Sequence, residues 1–214
     1  RPDRRQSRRV RGLARFLDAR APIYAHPDAL KPKYGRNNDG SARYIGMNEA
    51  FRSALAQSDA LRPLTRPTEV VPGVYATGPV PRVTEFEDTG GPFFADEACT
   101  TPDPLTDDLS LFIPTREGTV VLLGCAHAGV INTLEYILTL TEAQPLAAVI
   151  GGMHLCQASE ERIAATADSL KALGVPLLAP CHCTDQPAID AFAAVFGDAM
   201  TACHPGSEFK FHLP

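Results

Sequence analysis

The sequence predicts an α/β layered domain, and three observations predict it. Apolar runs suited to strands covered on both faces occur at Thr119 to Leu123 and at Leu146 to Ile150. A segment of helical periodicity follows each of them. Gly or Pro marks most of the transitions between strand and helix, the punctuation expected of strands alternating with helices.

Taken in order, Leu13 to Ala19 reads as a short helix with Leu13, Phe16 and Leu17 on one face, followed by a short buried strand at Pro22 to Ala25. His26 to Arg66 is polar, with scattered Gly, Asn and Pro and one helix at Met47 to Gln57, the character of a lid or excursion over a site. Glu69 to Ala76 has the β-branched content of two strands meeting at Pro72-Gly73, and Gly78 to Arg82 continues in extended form. Thr89 to Asp107 is a second loop. Leu109 to Pro114, a turn at Arg116-Glu117-Gly118, and Thr119 to Leu123 form a hairpin. Val130 to Thr141 is helical, with Val130, Leu134, Ile137 and Leu138 in phase. Leu146 to Ile150 is a strand. Ser159 caps a helix running to about Leu173, and Gly174 stops it. Pro176 to Ala179 is the next strand and Pro187 to Phe196 the last helix. One domain is expected for residues 13 to 214, preceded by an aberrant or disordered Arg-rich segment at 1 to 12.

Charge separates that segment from the rest. Residues 1 to 12 hold six Arg against one Asp, so the net charge of −5 divides into +5 there and −10 in the remainder. An acidic body argues against a nucleic-acid surface, because duplex binding depends on neutralising phosphates. No apolar run approaches the ~20 residues that cross a bilayer, and no signal peptide is readable, so a cytoplasmic protein with no membrane partner is expected. Six cysteines in 214 residues are too sparse for a disulfide framework, and they read as reduced, mostly buried thiols.

The chemistry gathers after strands. His127 follows Thr119 to Leu123, His154 follows Leu146 to Ile150, and His182 follows Pro176 to Ala179. In a layered α/β protein the loops beyond strand ends converge on one sheet edge, so imidazoles delivered this way can meet in one pocket. A lone His after a strand is usually structural; three in equivalent places point to a shared metal or catalytic site. Three imidazoles suffice for a catalytic zinc with a position left for water. His26, His204 and His212 lack the glycine context and read as structural or solvated. A cysteine nucleophile beside His182 is disfavoured, since neighbours on an extended segment point to opposite sides.

The segments Gly124-Cys125-Ala126-His127-Ala128-Gly129, Ile150-Gly151-Gly152-Met153-His154-Leu155 and Pro180-Cys181-His182-Cys183-Thr184 resemble, in order and spacing, the later motifs of one branch of the metallo-β-lactamase-fold superfamily. This is the branch of 7,8-dihydropterin-6-yl-methyl-4-(β-D-ribofuranosyl)aminobenzene-5′-phosphate synthase-like metal-dependent hydrolases. Tyr24-Ala25-His26-Pro27, Pro72-Gly73-Val74-Tyr75, Pro81-Arg82-Val83 and Asp107-Asp108 are similar to it as well. The resemblance implies a four-layer αββα sandwich, incomplete at the N-terminus here, with a binuclear zinc centre at one edge of the sheets. It implies metal-ligand roles for His127 and His182. His154 occupies the neighbourhood of a bridging Asp, and Asp185 stands where the branch commonly has Gly.

The branch also has a His-x-His-x-Asp-His-x-Gly-Gly segment before its first helix, where Arg4 to Gly12 stand here. A truncated or frameshifted gene model is the expectation that accounts for this. The functional expectation is a metal-dependent hydrolase or transferase using metal-activated water on a small phosphorylated or pterin-like substrate, impaired by loss of that segment. Arg82 is the candidate anion contact. None or one zinc ion is expected, against two in the intact family. The alternative is a catalytically inactive, metal-poor remnant or a binding module.

Overall fold

A computed structural model describes residues 21–214. The helix expected at Leu13 to Ala19 and the Arg-rich segment lie outside the described residues. In chain order the elements are β1 (Ile23–Ala25), β2 (Tyr34–Arg36), β3 (Ala42–Tyr44), α1 (Glu49–Ala56), β4 (Leu61–Pro63), β5 (Thr68–Val71), β6 (Val74–Ala76) and β7 (Phe93–Phe94). They continue with β8 (Leu111–Thr115), β9 (Gly118–Leu123), α2 (Val130–Leu140), β10 (Leu146–Gly151), α3 (Glu160–Ala172), β11 (Leu178–Pro180) and α4 (Gln186–Phe196). The chain divides into two compact units. One takes the described residues up to Thr65 with Gly91–Asp107; the other takes Arg66–Gly90 and Asp108–Pro214.

In the first unit, β1 pairs in parallel with β4, and β2 pairs antiparallel with both β3 and β7. The polar stretch from His26 to Arg66 therefore holds three short strands besides the expected helix. Strands of three residues show too little alternation to be read from sequence. Asn48 caps α1, its side chain accepting from the amides of Ala50 and Phe51. Leu55 and Leu64 are fully buried. Lys33, itself buried, bridges Asp103 at 2.6 Å and Asp107 at 2.8 Å.

The second unit is built on a six-stranded sheet in the order β11-β10-β9-β8-β6-β5. β9, β10 and β11 are parallel, while β8, β6 and β5 extend the sheet antiparallel. The three parallel strands are followed by α2, α3 and α4, respectively. Strand alternation sorts the apolar side chains onto two faces. Val121, Leu123 and Val149 pack with Leu134, Ile137, Leu170 and Phe192 of the helices. Val120, Ala147 and Ala148 pack on the other face with Ile113, Leu122 and Phe211. Apolar runs in β9 and β10 thus have the two-sided burial their composition implies.

Helix α3 matches its expected span, with the Ser159 hydroxyl capping the Arg162 amide. The last strand starts two residues later than expected, at Leu178, because Pro176 has no amide to give a ladder. Among the described residues no helix is long and apolar enough to cross a membrane. Gly151, at φ 133°, lies so close to β9 that a Cβ would sit 2.2 Å from the Leu123 carbonyl oxygen. Gly151→Ala is accordingly expected to lower stability by about 1–3 kcal/mol, measured as a fall in urea midpoint at unchanged m-value; a midpoint like wild type would show that the strands can part without cost.

Candidate metal and catalytic site

The three parallel strands end in loops of one design. After β9, β10 and β11 respectively, Ala126, His154 and His182 have φ of 52°, 46° and 59°. Non-glycine residues seldom adopt the left-handed region, and three at successive strand ends mark a place where geometry outweighs backbone comfort. Each turn folds the chain back over the sheet edge instead of letting it run on.

The loops bring their side chains together pairwise. The rings of His127 and His154 touch, with centroids 4.0 Å apart and planes tilted by 46°. Beside them, the ligand atoms of Cys125, His182 and Cys183 all lie within 4.8 Å of one another. The Cys183 side chain links the two groups, interacting with both Cys125 and His154. Those contacts, Cys125 first, hold the Cys183 thiol below the ordinary thiol range despite its burial. Gly152 makes the space: a Cβ there would stand 2.8 Å from the Cys183 sulfur and 3.3 Å from His182 Cδ2.

Cys125 and Cys183 were the donors that sequence reasoning passed over, because a buried Cys is most often a small hydrophobe. The signal available was their position, each within two residues of a strand-end His. The expectation that neither the Cys181 nor the Cys183 thiol contacts the His182 imidazole assumed an extended segment, and that premise is corrected. Cys181–Thr184 is a tight turn, closed by the Thr184 amide and hydroxyl on the Cys181 carbonyl at 3.1 and 2.9 Å, not an extended segment. The left-handed His182 therefore puts the Cys183 thiol on the imidazole's side of the chain.

A strap from Arg82 to Gly90 holds the edge in place. Glu87 accepts from the amides of Ile131 and Asn132 at 2.9 and 2.8 Å, capping α2 from outside the helix. Gly129, the residue at the N-cap, contributes no side-chain bond, and a Cβ on it would collide with the Glu87 carboxylate at 2.1 Å. In return the Asn132 carboxamide oxygen accepts from Val83 and Thr84, both at 2.8 Å, and its nitrogen donates to the Ala128 carbonyl. Asp88 pairs with the buried Arg162 of α3, and Gly90 lies against the His154 ring. At the end of the strap the Thr89 carbonyl meets His127 Nδ1 at 2.9 Å. A carbonyl only accepts, so Nδ1 carries the proton and Nε2 is the acceptor nitrogen of the neutral ring.

Arg82 donates to the His127 carbonyl at 2.6 Å and is otherwise exposed. Burial of part of its side chain lowers its pKa, against the opposing influence of Asp108, Asp88 and Glu87. Asp185 has φ 64° and ψ 162°, a conformation essentially reserved for glycine, so the Gly of the resembling branch has a physical reason here. His26 caps a short 3-10 turn through the Asp28 amide, and His212 pairs with Glu117 at 2.5 Å; both are structural.

No family model matches this chain. Individual proteins do resemble it. It is 26% identical over 205 residues to the 7,8-dihydropterin-6-methyl-4-(beta-D-ribofuranosyl)-aminobenzene-5'-phosphate synthase of Methanocaldococcus jannaschii, covering 94% of this chain and 69% of that protein. An uncharacterized protein of the same organism is 30% identical over 167 residues, covering 78% of this chain and 60% of its own length. The crystal structure of Tm1679, described as a metal-dependent hydrolase of the beta-lactamase superfamily, superposes with a TM-score of 0.74 at 27% identity, over 88% of this chain and 70% of that one. The chain resembles the metallo-β-lactamase superfamily in sequence and in fold. Within that superfamily the sequence likeness is to the dihydropterin phosphate synthase, and the fold class is α/β of the metallo-β-lactamase type.

Two outcomes follow from the local geometry. Glu87→Ala strips α2 of its cap and leaves two amides unmet, with an expected loss of about 1–3 kcal/mol in urea unfolding. Burial raises the Glu87 carboxyl above its ordinary value of 4.5, outweighing the amides that lower it. Its folded-state proton is thus held to higher pH than in the unfolded chain, so this group's contribution is full below pH 4.5 and declines as pH rises through the raised value. A pH series in which Glu87→Gln keeps that decline would refute the assignment. Asp185→Gly relieves backbone strain at the cost of a weak cap, and a gain of about 1 kcal/mol is expected in the same assay; a loss would show that the cap outweighs the strain.

Proposed function

We propose that this chain holds zinc at the strand-end edge and acts there as a hydrolase or transferase on a small phosphorylated or pterin-like substrate. The observation that carries the reading is the approach of the Cys125, His182 and Cys183 donor atoms to within 4.8 Å of one another, beside the touching rings of His127 and His154. The likeness to a metal-dependent hydrolase of the beta-lactamase superfamily and to a synthase supports it.

The donor set passes a chemical test. Zinc takes thiolate and imidazole at ~2.0–2.3 Å in tetrahedral geometry, which sets ligand atoms roughly 3.3–3.8 Å apart. A set already gathered within 4.8 Å needs only rotamer adjustment. Two thiols and an imidazole favour zinc over hard oxygen-loving cations. Three ligands leave one position open, the catalytic pattern rather than the closed structural one. Bound there, zinc would supply a Lewis acid for a phosphoryl or carbonyl oxygen and a water of lowered pKa.

The chain's own residues do the rest. The Thr89 carbonyl fixes the His127 tautomer, leaving Nε2 able to accept a proton. Arg82 spends one nitrogen on the His127 carbonyl and keeps its other donors for an anionic group. A second reading, a metal-poor remnant without turnover, is favoured by one observation: Arg4 to Gly12 supply none of the imidazoles and carboxylates that the branch carries there.

Elemental analysis and turnover separate the two. About one zinc per chain is expected, with chelator-sensitive hydrolysis of a chromogenic phosphodiester or ester that zinc restores. His182→Ala should weaken metal binding by at least roughly 100-fold. Bound zinc without turnover would favour the remnant, and a chain that binds no metal would overturn the proposal.

A further inference from the structure

Two cysteines outside the candidate donor set face each other. Leu178 of β11 bridges Met200 in parallel, and the Thr201 amide donates to the Leu178 carbonyl at 2.9 Å. Three residues farther along each segment stand Cys181 and Cys203. In parallel neighbours, partners at equal offset from a bridge share a face and lie roughly 4.8 Å apart. That spacing is inside the ~4.4–6.8 Å Cα separation that a disulfide spans. The two thiols are close enough to influence one another electrostatically. Both are reduced and only half-buried, whereas Cys125 and Cys183 are buried.

We propose that Cys181 and Cys203 form a reversible disulfide that staples the C-terminal segment to the turn bearing His182 and Cys183. The inference stands on the register of the two segments and holds whether or not the neighbouring site takes up zinc. The oxidant is a low-molecular-weight disulfide. One protein thiolate attacks it, forming a mixed disulfide and expelling one small thiolate; the second protein thiolate then displaces the other. Two protein thiols are oxidised, the external disulfide is reduced to two thiols, and the protons released by the protein are taken up by those leaving thiolates.

The test uses the full reduced chain treated with oxidised glutathione. The expected product has lost two hydrogen atoms, and cleavage before Asp residues under non-reducing conditions yields one fragment pair joined through residues 168–184 and 198–214. The link should persist in Cys183→Ser and Cys125→Ser, vanish in Cys181→Ser and Cys203→Ser, and open with dithiothreitol. Amide exchange across residues 181–184 should slow in the oxidised chain by about tenfold or more. Mixed glutathione adducts alone, or a link that disappears in Cys183→Ser, would overturn the pairing. A link that leaves exchange unchanged would overturn its role as a staple.

Discussion

The candidate site depends on a reciprocal brace between one carboxylate and one carboxamide. Glu87 reaches from the strap to the open amides of α2, and Asn132 reaches from α2 back to the amides of the strap. Each side chain satisfies backbone groups that its own segment cannot, which is why neither segment would hold this shape alone. The brace sets the height of the His127 loop against α2, and the strap's far end then orients the His127 ring through Thr89. It also ties α3 in through Asp88 and Arg162. An arrangement made of backbone amides and buried polar atoms is stiff, since breaking any bond strands a group away from water.

Strain and space are the complementary constraint. Three left-handed residues sit where the chain leaves β9, β10 and β11, and the loops tolerate them because sheet, helices and strap leave no relaxed alternative. Glycine is used where bulk rather than torsion is the problem: Gly152 clears room for Cys183 and His182, and Gly90 lets the strap lie on the His154 ring. Backbone cost is thus paid beside the reactive side chains, where their placement is what matters.

Much of this was legible in the amino-acid order. The apolar runs of β9 and β10, the helical periods that follow them and the Ser159 cap were read with bounds that shifted by two residues or fewer. Their signals are local, in propensity and period. The gathering of His127 with His154 follows from equivalent places in the topology, so it too was readable. The β2–β3 pairing was not, because strands of three residues carry no period. Nor were Glu87, Asn132, Cys125 and Cys183: each acts through a partner distant in sequence, and one acid in a polar loop or one Asn on an apolar helix looks like any other. The Arg-rich start and the helix expected at Leu13 to Ala19 lie outside the described residues.

The central claim is that the strand-end edge binds a metal through sulfur as well as nitrogen. X-ray absorption at the zinc edge of the loaded chain tests it most directly. The account predicts a mixed shell containing sulfur from Cys125 and Cys183 with imidazole nitrogen from His182. A shell of nitrogen and oxygen alone would contradict it.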